Sequence, residues 1–113
     1  MNKIDFDFSI RAKLTKDSVP FYGIGVQKLL ILTNEHQSLR AASMQMNMSY
    51  SKAFRIVKEA ENAIGYKLLD SAVGGSSGGY SKLTKEAEIL LKKYDKFTSD
   101  INEFAKHAFQ EIF

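Results

Sequence analysis

Residues 38–65 read SLRAASMQMNMSYSKAFRIVKEAENAIG, and the spacing of their capping and apolar residues predicts two helices joined by a short turn. Ser38 is a suitable N-cap for a helix over 39–46, because its hydroxyl can accept a backbone N–H of the first turn. Ser49 can cap the next helix in the same way, over about 49–64. Two helices that meet across a turn of three or four residues have the outline of a helix-turn-helix.

Two residues are predicted to end these helices. Asn47 and Gly65 both tolerate the left-handed backbone conformation with which many helices stop. Beyond Gly65, residues 68–73 and 80–83 have the composition of two strands, and a glycine- and serine-rich run, 74–79, lies between them. A hairpin that follows a helix-turn-helix is a wing, so the sequence predicts a winged helix-turn-helix.

The N-terminal part of the chain is predicted to form a small hairpin. Apolar and polar residues alternate over 4–14, which is the period of a strand with one apolar face. Residues 15–18 have turn composition, and 19–22 can return as a second strand, which Pro20 restricts to a sheet edge. The apolar spacing then becomes helical and predicts a first helix over 26–36.

The C-terminal segment carries a heptad pattern. Apolar side chains recur there at alternating steps of four and three residues, and Thr84 can cap the helix that they predict. The stripe has more apolar surface than one small domain is expected to cover, so we predict that it forms a homodimer. The residues expected at the dimer interface are Leu90, Tyr94, Phe97, Ile101, Phe104 and Ala108.

These elements together predict an α+β fold that is mostly helical. Residues 1–84 are expected to form a winged helix-turn-helix domain that includes the N-terminal strands. Residues 85–113 are expected to form a long dimerisation helix. The chain has 113 residues, of which 44% are hydrophobic and 26% charged, and these values are typical of a single soluble domain.

Composition also excludes several classes of protein. The absence of cysteine excludes disulfide scaffolds, thiolate zinc sites and cysteine nucleophiles. The N-terminus lacks the apolar core of a signal peptide, and no stretch approaches the ~20 apolar residues of a membrane span. We therefore expect a cytoplasmic protein that does not associate with membranes.

Catalytic and cofactor motifs are weak in this sequence. His36 and His107 are far apart, and neither has acidic partners at the spacing of metal ligands. The glycines at the two ends of 74–79 have the spacing of a phosphate-binding loop, but Tyr80 and Ser81 stand where Lys and Ser or Thr are required. We therefore expect no enzymatic activity, no cofactor and no metal site.

Positive charge is concentrated in one window of the chain. The net charge is only +3, but residues 37–58 contain four basic side chains and no carboxylate. Arg55 is the first choice for reading a base, because its planar fork matches N7 and O6 of guanine in the major groove. Arg40, Lys52 and Lys58 are better suited to phosphates, which set affinity and register.

The pattern therefore predicts sequence-specific binding of double-stranded DNA, with the helix over 49–64 in the major groove and the wing at 74–79 on the backbone. The alternative is a winged-helix module that binds an acidic protein and no DNA. Salt dependence of binding to random duplex DNA distinguishes the two, since only phosphate contacts release counterions. The candidate DNA-binding residues are Arg40, Ser49, Tyr50, Ser51, Lys52, Arg55, Lys58, Gly75, Ser76, Ser77, Gly78 and Lys82.

The chain also resembles the N-terminal DNA-binding domain of ModE-type molybdate-responsive regulators, a winged-helix group close to the LysR-type domains. The resemblance covers nearly the whole sequence and rests on Gly23-Ile24-Gly25, Ser38-Leu39, residues 48–54, the glycine-rich run followed by Leu83-Thr84, and Tyr94. It implies a dimer held by the terminal helices, with the third helix in the major groove. Relatives that sense molybdate use a separate C-terminal domain, so no molybdate site is expected in this chain.

Overall fold

A computed structural model describes residues 4–72 and 80–113 of the chain. The fold is mixed α/β and mostly helical, as predicted. Its elements, in chain order, are β1 (Leu14–Lys16), β2 (Val19–Tyr22), α1 (Ile24–His36), α2 (Leu39–Gln45), α3 (Tyr50–Ile64), β3 (Leu69–Ala72), β4 (Tyr80–Leu83) and α4 (Lys85–Ile112). None of the helices in the described ranges is both long and apolar enough to cross a membrane.

The helix boundaries follow from local side-chain chemistry. Ser38, Ser49 and Thr84 cap α2, α3 and α4, and each side-chain oxygen accepts the backbone N–H three residues later at 3.0 or 3.1 Å. Asn47 and Gly65 have φ angles of 55° and 92°, in the left-handed region. The turn between α2 and α3, and the end of α3, therefore lie where the sequence predicted.

The N-terminal hairpin is shorter than predicted. The strand predicted over 4–14 is wrong, because β1 begins only at Leu14 and residues 4–13 lie outside the strands. β1 and β2 pair antiparallel across a two-residue turn at Asp17 and Ser18. Both turn residues have positive φ, 51° and 68°, as a tight hairpin turn of this length requires.

Residues 4–13, here called the N-terminal arm, lie against α4. The Tyr94 hydroxyl donates a hydrogen bond of 2.7 Å to the carbonyl oxygen of Ala12. Towards the start of the arm, the rings of Phe6 and Phe8 lie 5.9 and 5.2 Å from the ring of Phe109. Phe6 and Phe8 therefore contact a helix rather than a neighbouring strand, while Ile4, Phe6, Phe8 and Ile10 each remain at least 37% exposed.

The core is built where the first three helices meet the β3–β4 hairpin and the start of α4. Alanines in α2, α3 and α4 are fully buried, which lets these elements approach closely. The largest fully buried apolar side chains are Tyr22, Leu29, Leu30 and Leu68. α1 begins two residues earlier than predicted, so that Gly25 lies within its first turn.

A partly buried polar network joins β2, α1 and α4. The Tyr22 hydroxyl donates to Oε1 of Gln27, and Nε2 of Gln27 donates at 3.0 Å both to the Leu91 carbonyl and to Oδ1 of Asp95. Burial, with Tyr94 and Asp95 close by, raises the pKa of Tyr22 above its ordinary value. Because unpaired buried polar groups are costly, this network holds the first half of α4 on the body of the fold.

The heptad stripe of α4 divides into two parts. Leu90 and Tyr94, which we predicted at a dimer interface, are buried in the chain's own core, and that prediction is corrected here. Further along, Phe97 and Phe104 are 49% and 77% exposed. The second half of α4 projects beyond the core, and the molecule is accordingly elongated, at 66 × 28 × 22 Å.

Candidate nucleic-acid interface

α3 presents one face to the core and the opposite face to solvent. Ala53, Val57 and Ala60 are buried. Ser51 and Arg55 are exposed and, by the helical period, lie on the side away from these three. The first residues of α3, which the Ser49 cap fixes, therefore carry a hydroxyl and a guanidinium outward on consecutive turns.

A row of two aromatic rings with a cationic side chain at each end runs beside this face. The guanidinium of Arg40, on α2, lies 4.4 Å from the ring centroid of Tyr50, and the Tyr50 and Phe54 rings are 6.2 Å apart. Nζ of Lys58 lies 5.4 Å from the Phe54 centroid. These four residues form the cation–aromatic row, in which the aromatic faces orient the two charges.

Phe54 lies next to the buried stripe of α3 in the helical period but is not covered by the core. The side chain is 46% exposed, and its neighbour Tyr50 is 39% exposed. Phe54 lies at the margin of the stripe, where α2 and the core stop covering α3. An exposed phenylalanine in a basic surface is available to a partner, and a single sequence gives no sign of this exposure.

Lys52 lies apart from the cation–aromatic row. It lines a cleft between α3 and the β1–β2 hairpin, together with Ile56 and Glu59. Arg55 thus stands between two flanks of α3, with Lys52 on one side and Lys58 on the other. This spread suits contact with both backbone strands that border a groove, with Arg55 aimed between them.

Glu61 is a positioning residue that the sequence did not indicate. Its side chain is only 9% exposed, and Oε2 accepts the backbone N–H groups of Leu68 at 2.8 Å and Leu69 at 3.3 Å. Oε1 lies 3.5 Å from Nζ of Lys58. Glu61 therefore attaches the start of the β3–β4 hairpin to α3 and offsets part of the Lys58 charge.

The β3–β4 hairpin places Lys82 on an exposed position of β4, directly across from Asp70 of β3. Opposite charges at facing positions reduce the field that Lys82 presents to an anion. Asn34 of α1 also holds this hairpin, because its Oδ1 accepts the Leu83 N–H at 3.1 Å. The wing-tip residues expected to touch DNA lie outside the described residues: Gly75, Ser76, Ser77 and Gly78.

The structure thus brings Arg40, Tyr50 and Lys58 into one row, with Arg55 beside it and Lys52 on the far flank. Residues 37–58 supply four basic side chains and no carboxylate, and Glu59 and Glu61 follow them on α3, with Glu61 beside Lys58. No protein-family model matches the chain, and no curated protein matches it.

Proposed function

We propose that this chain is a homodimeric winged helix-turn-helix protein that binds double-stranded DNA and regulates transcription. In this proposal α2 and α3 are the helix-turn-helix, and β3 and β4 are the sides of the wing. The observation that supports it most is the exposed face of α3, where Arg55 stands between Lys52 and Lys58, although Glu59 lies one turn from Arg55 and Glu61 contacts Lys58. A helix of this kind fits the major groove, which is about 12 Å wide.

Each exposed side chain has a role that matches its chemistry. The Arg55 guanidinium donates two parallel hydrogen bonds to N7 and O6 of a guanine, and Ser51 donates to a base edge or a phosphate. Arg40 and Lys58, oriented by Tyr50 and Phe54, neutralise phosphates. Specificity then comes from Arg55 and affinity from the charges beside it.

The proposed dimer uses the part of α4 that the core leaves exposed. An apolar groove of about 730 Å³ runs along this part, and it is lined by the arm and by Phe97, Ile101, Phe104 and Ala108. A second α4 laid in this groove covers apolar surface that a monomer exposes to water. Residues 1–84 then form the DNA-binding domain and 85–113 the dimerisation helix, with interchain contact beginning near Phe97.

A second candidate function is a winged-helix module that binds an acidic protein. The exposure of Tyr50 and Phe54 favours it, because aromatic residues and arginine are enriched in the centres of protein interfaces. This candidate uses the same cation–aromatic row and assigns no role to base edges.

The experiment that separates the two is a salt titration of binding to random duplex DNA. For DNA binding, log K is expected to fall linearly with log salt at about −0.9 per phosphate neutralised, hence a slope of roughly −3 per protomer if Arg40, Lys52 and Lys58 each neutralise one phosphate. A module that binds only an acidic protein is expected to show no binding to random duplex DNA at any salt concentration. Absence of duplex binding at about 50 mM salt would overturn the proposal and favour the protein-binding module.

A further inference from the structure

The cleft beside α3 is large enough for a small molecule. Its volume is about 510 Å³, and it lies between the β1–β2 hairpin, the first turn of α1 and the Lys52 flank of α3. Sites for small ligands commonly measure 300–1,000 Å³ and are mostly apolar, with a few polar groups that orient the ligand.

The lining of the cleft combines an apolar wall with positive charge. The wall includes Met46 and Met48, whose flexible side chains adapt to ligands of different shape. The charged lining residues are three cations and one carboxylate: Arg11, Lys13, Lys52 and Glu59. Among the described residues, none of the three cations has a carboxylate within 4.0 Å.

The first turn of α1 leaves space in this lining. A Cβ on Gly25 would meet no atom within 4 Å, whereas a Cβ on Gly23 would lie 3.3 Å from Cγ of Lys13. The stem of Lys13 therefore lies over the start of α1, while the cleft is open beside Gly25. Gly25 has an ordinary helical conformation, so a larger side chain there fills the cleft without backbone strain.

We propose that this cleft binds a small organic anion with an apolar body, such as an aromatic monocarboxylate. The carboxylate binds beside one of the cations of the lining, Arg11 or Lys13 of the arm or Lys52 of α3, which holds it by a charge-assisted hydrogen bond. The apolar body packs on the methionines and on Ile56. The excess of cations over the single Glu59 carboxylate selects an acid over a neutral or cationic compound of the same shape.

Occupancy of the cleft also alters DNA binding, a part of the inference that rests on the proposed function. Lys52 belongs both to the cleft and to the surface proposed to contact phosphates. An anion in the cleft offsets its charge, so duplex affinity is expected to fall about threefold and the salt slope to lose about one phosphate contact.

Calorimetric titration of the full chain with 3-phenylpropionate tests the site. The neutral alcohol 3-phenylpropan-1-ol, the amine 3-phenylpropylamine and inorganic phosphate serve as matched probes. We expect 3-phenylpropionate to bind at least about tenfold more tightly than each of them, which is the effect of one charge-assisted contact. Equal affinity for the acid and the alcohol, equal affinity for phosphate, or no binding of any probe would overturn the proposal.

Two variants locate the site. Gly25→Leu fills the cleft and is expected to weaken 3-phenylpropionate at least about tenfold while leaving duplex affinity unchanged. Lys13→Met keeps the apolar stem but removes the charge. The ratio of the affinities for 3-phenylpropionate and 3-phenylpropan-1-ol is therefore expected to fall to about threefold. Unchanged acid binding in Gly25→Leu would show that the ligand sits elsewhere.

A duplex titration with and without saturating 3-phenylpropionate separates this inference from the proposed function. If the chain binds 3-phenylpropionate but no duplex, the proposed ligand site stands and the proposed function is wrong. If the chain binds duplex but not the acid, the proposed function stands and the proposed ligand site is wrong. Acid binding that raises duplex affinity would contradict the proposed neutralisation of Lys52.

Discussion

The carboxylate of Glu61 accepts a hydrogen bond of 2.8 Å from the backbone N–H of Leu68. Glu61 lies on α3, and Leu68 immediately precedes β3. The same carboxylate also contacts Lys58, so one buried side chain joins the proposed recognition helix, its hairpin and one of its cations. The relative placement of the two proposed DNA-contacting elements therefore depends on Glu61.

Glu61→Ala is expected to lower the free energy of unfolding by about 2–3 kcal/mol, because two buried backbone N–H groups lose their acceptor. Glu61→Gln keeps one acceptor oxygen and is expected to cost about half as much. Urea denaturation measures both. The control is Glu59→Ala, an exposed position on the same helix, which is expected to change stability by less than about 0.5 kcal/mol. Equal losses of unfolding free energy in Glu59→Ala and Glu61→Ala would contradict the claim that Glu61 attaches the β3–β4 hairpin to α3.

Tyr22 is expected to make the free energy of unfolding depend on pH in the alkaline range. Its pKa is raised in the folded chain, chiefly by burial, so folding favours the neutral phenol. The corresponding stability is fully present below the ordinary tyrosine pKa of 10.0 and is lost as pH rises above it. The loss is about 1.4 kcal/mol per pH unit for one group.

Tyr22→Phe removes this group and its hydrogen bond to Gln27. At neutral pH the variant is expected to be about 1 kcal/mol less stable than the natural chain. Lysines titrate in both proteins, so the difference between them isolates Tyr22. We expect the gap in unfolding free energy to shrink as pH rises through about 10 to 11. A gap that stays constant over this range would show that Tyr22 ionises as freely in the folded chain as in the unfolded one.

Phe104→Asp tests the proposed dimer. Phe104 is 77% exposed in the single chain, so the substitution leaves the core intact and places a charge in the α4 groove. We expect the dimer dissociation constant to rise about 30-fold or more, or about 2 kcal/mol. Sedimentation velocity measures this, with Ile89→Asp, exposed on the first half of α4, as the control. If the natural chain sediments as a monomer at micromolar concentration, the proposed homodimer is wrong.

The sequence predicted elements whose ends depend on local chemistry. The caps at Ser38, Ser49 and Thr84 and the left-handed residues Asn47 and Gly65 act within one turn, so residue type and spacing were sufficient. The described strands β3 and β4 likewise fall inside the predicted ranges.

The errors arose where distant contacts decide the outcome. The alternation over 4–13 fits a strand, yet the rings of Phe6 and Phe8 pack against Phe109 of α4 and not against a neighbouring strand. Leu90 and Tyr94 fit the heptad of an interface, but the core lies against that part of α4. Glu61 looks like an ordinary helix acid, because its partners at Leu68 and Leu69 become visible only when the chain is folded.

The central claim is that Arg55 reads a guanine in the major groove. Guanine N7-methylation interference, on a duplex selected from a random pool by the natural chain, tests it most directly. Methylation of one guanine in each half-site is expected to weaken the natural chain by about 1–3 kcal/mol and to leave Arg55→Ala insensitive at that position. Lys58→Ala, the control, is expected to bind more weakly but to keep the sensitivity. Equal sensitivity of the natural chain and Arg55→Ala, or no sensitivity in either, would contradict the claim.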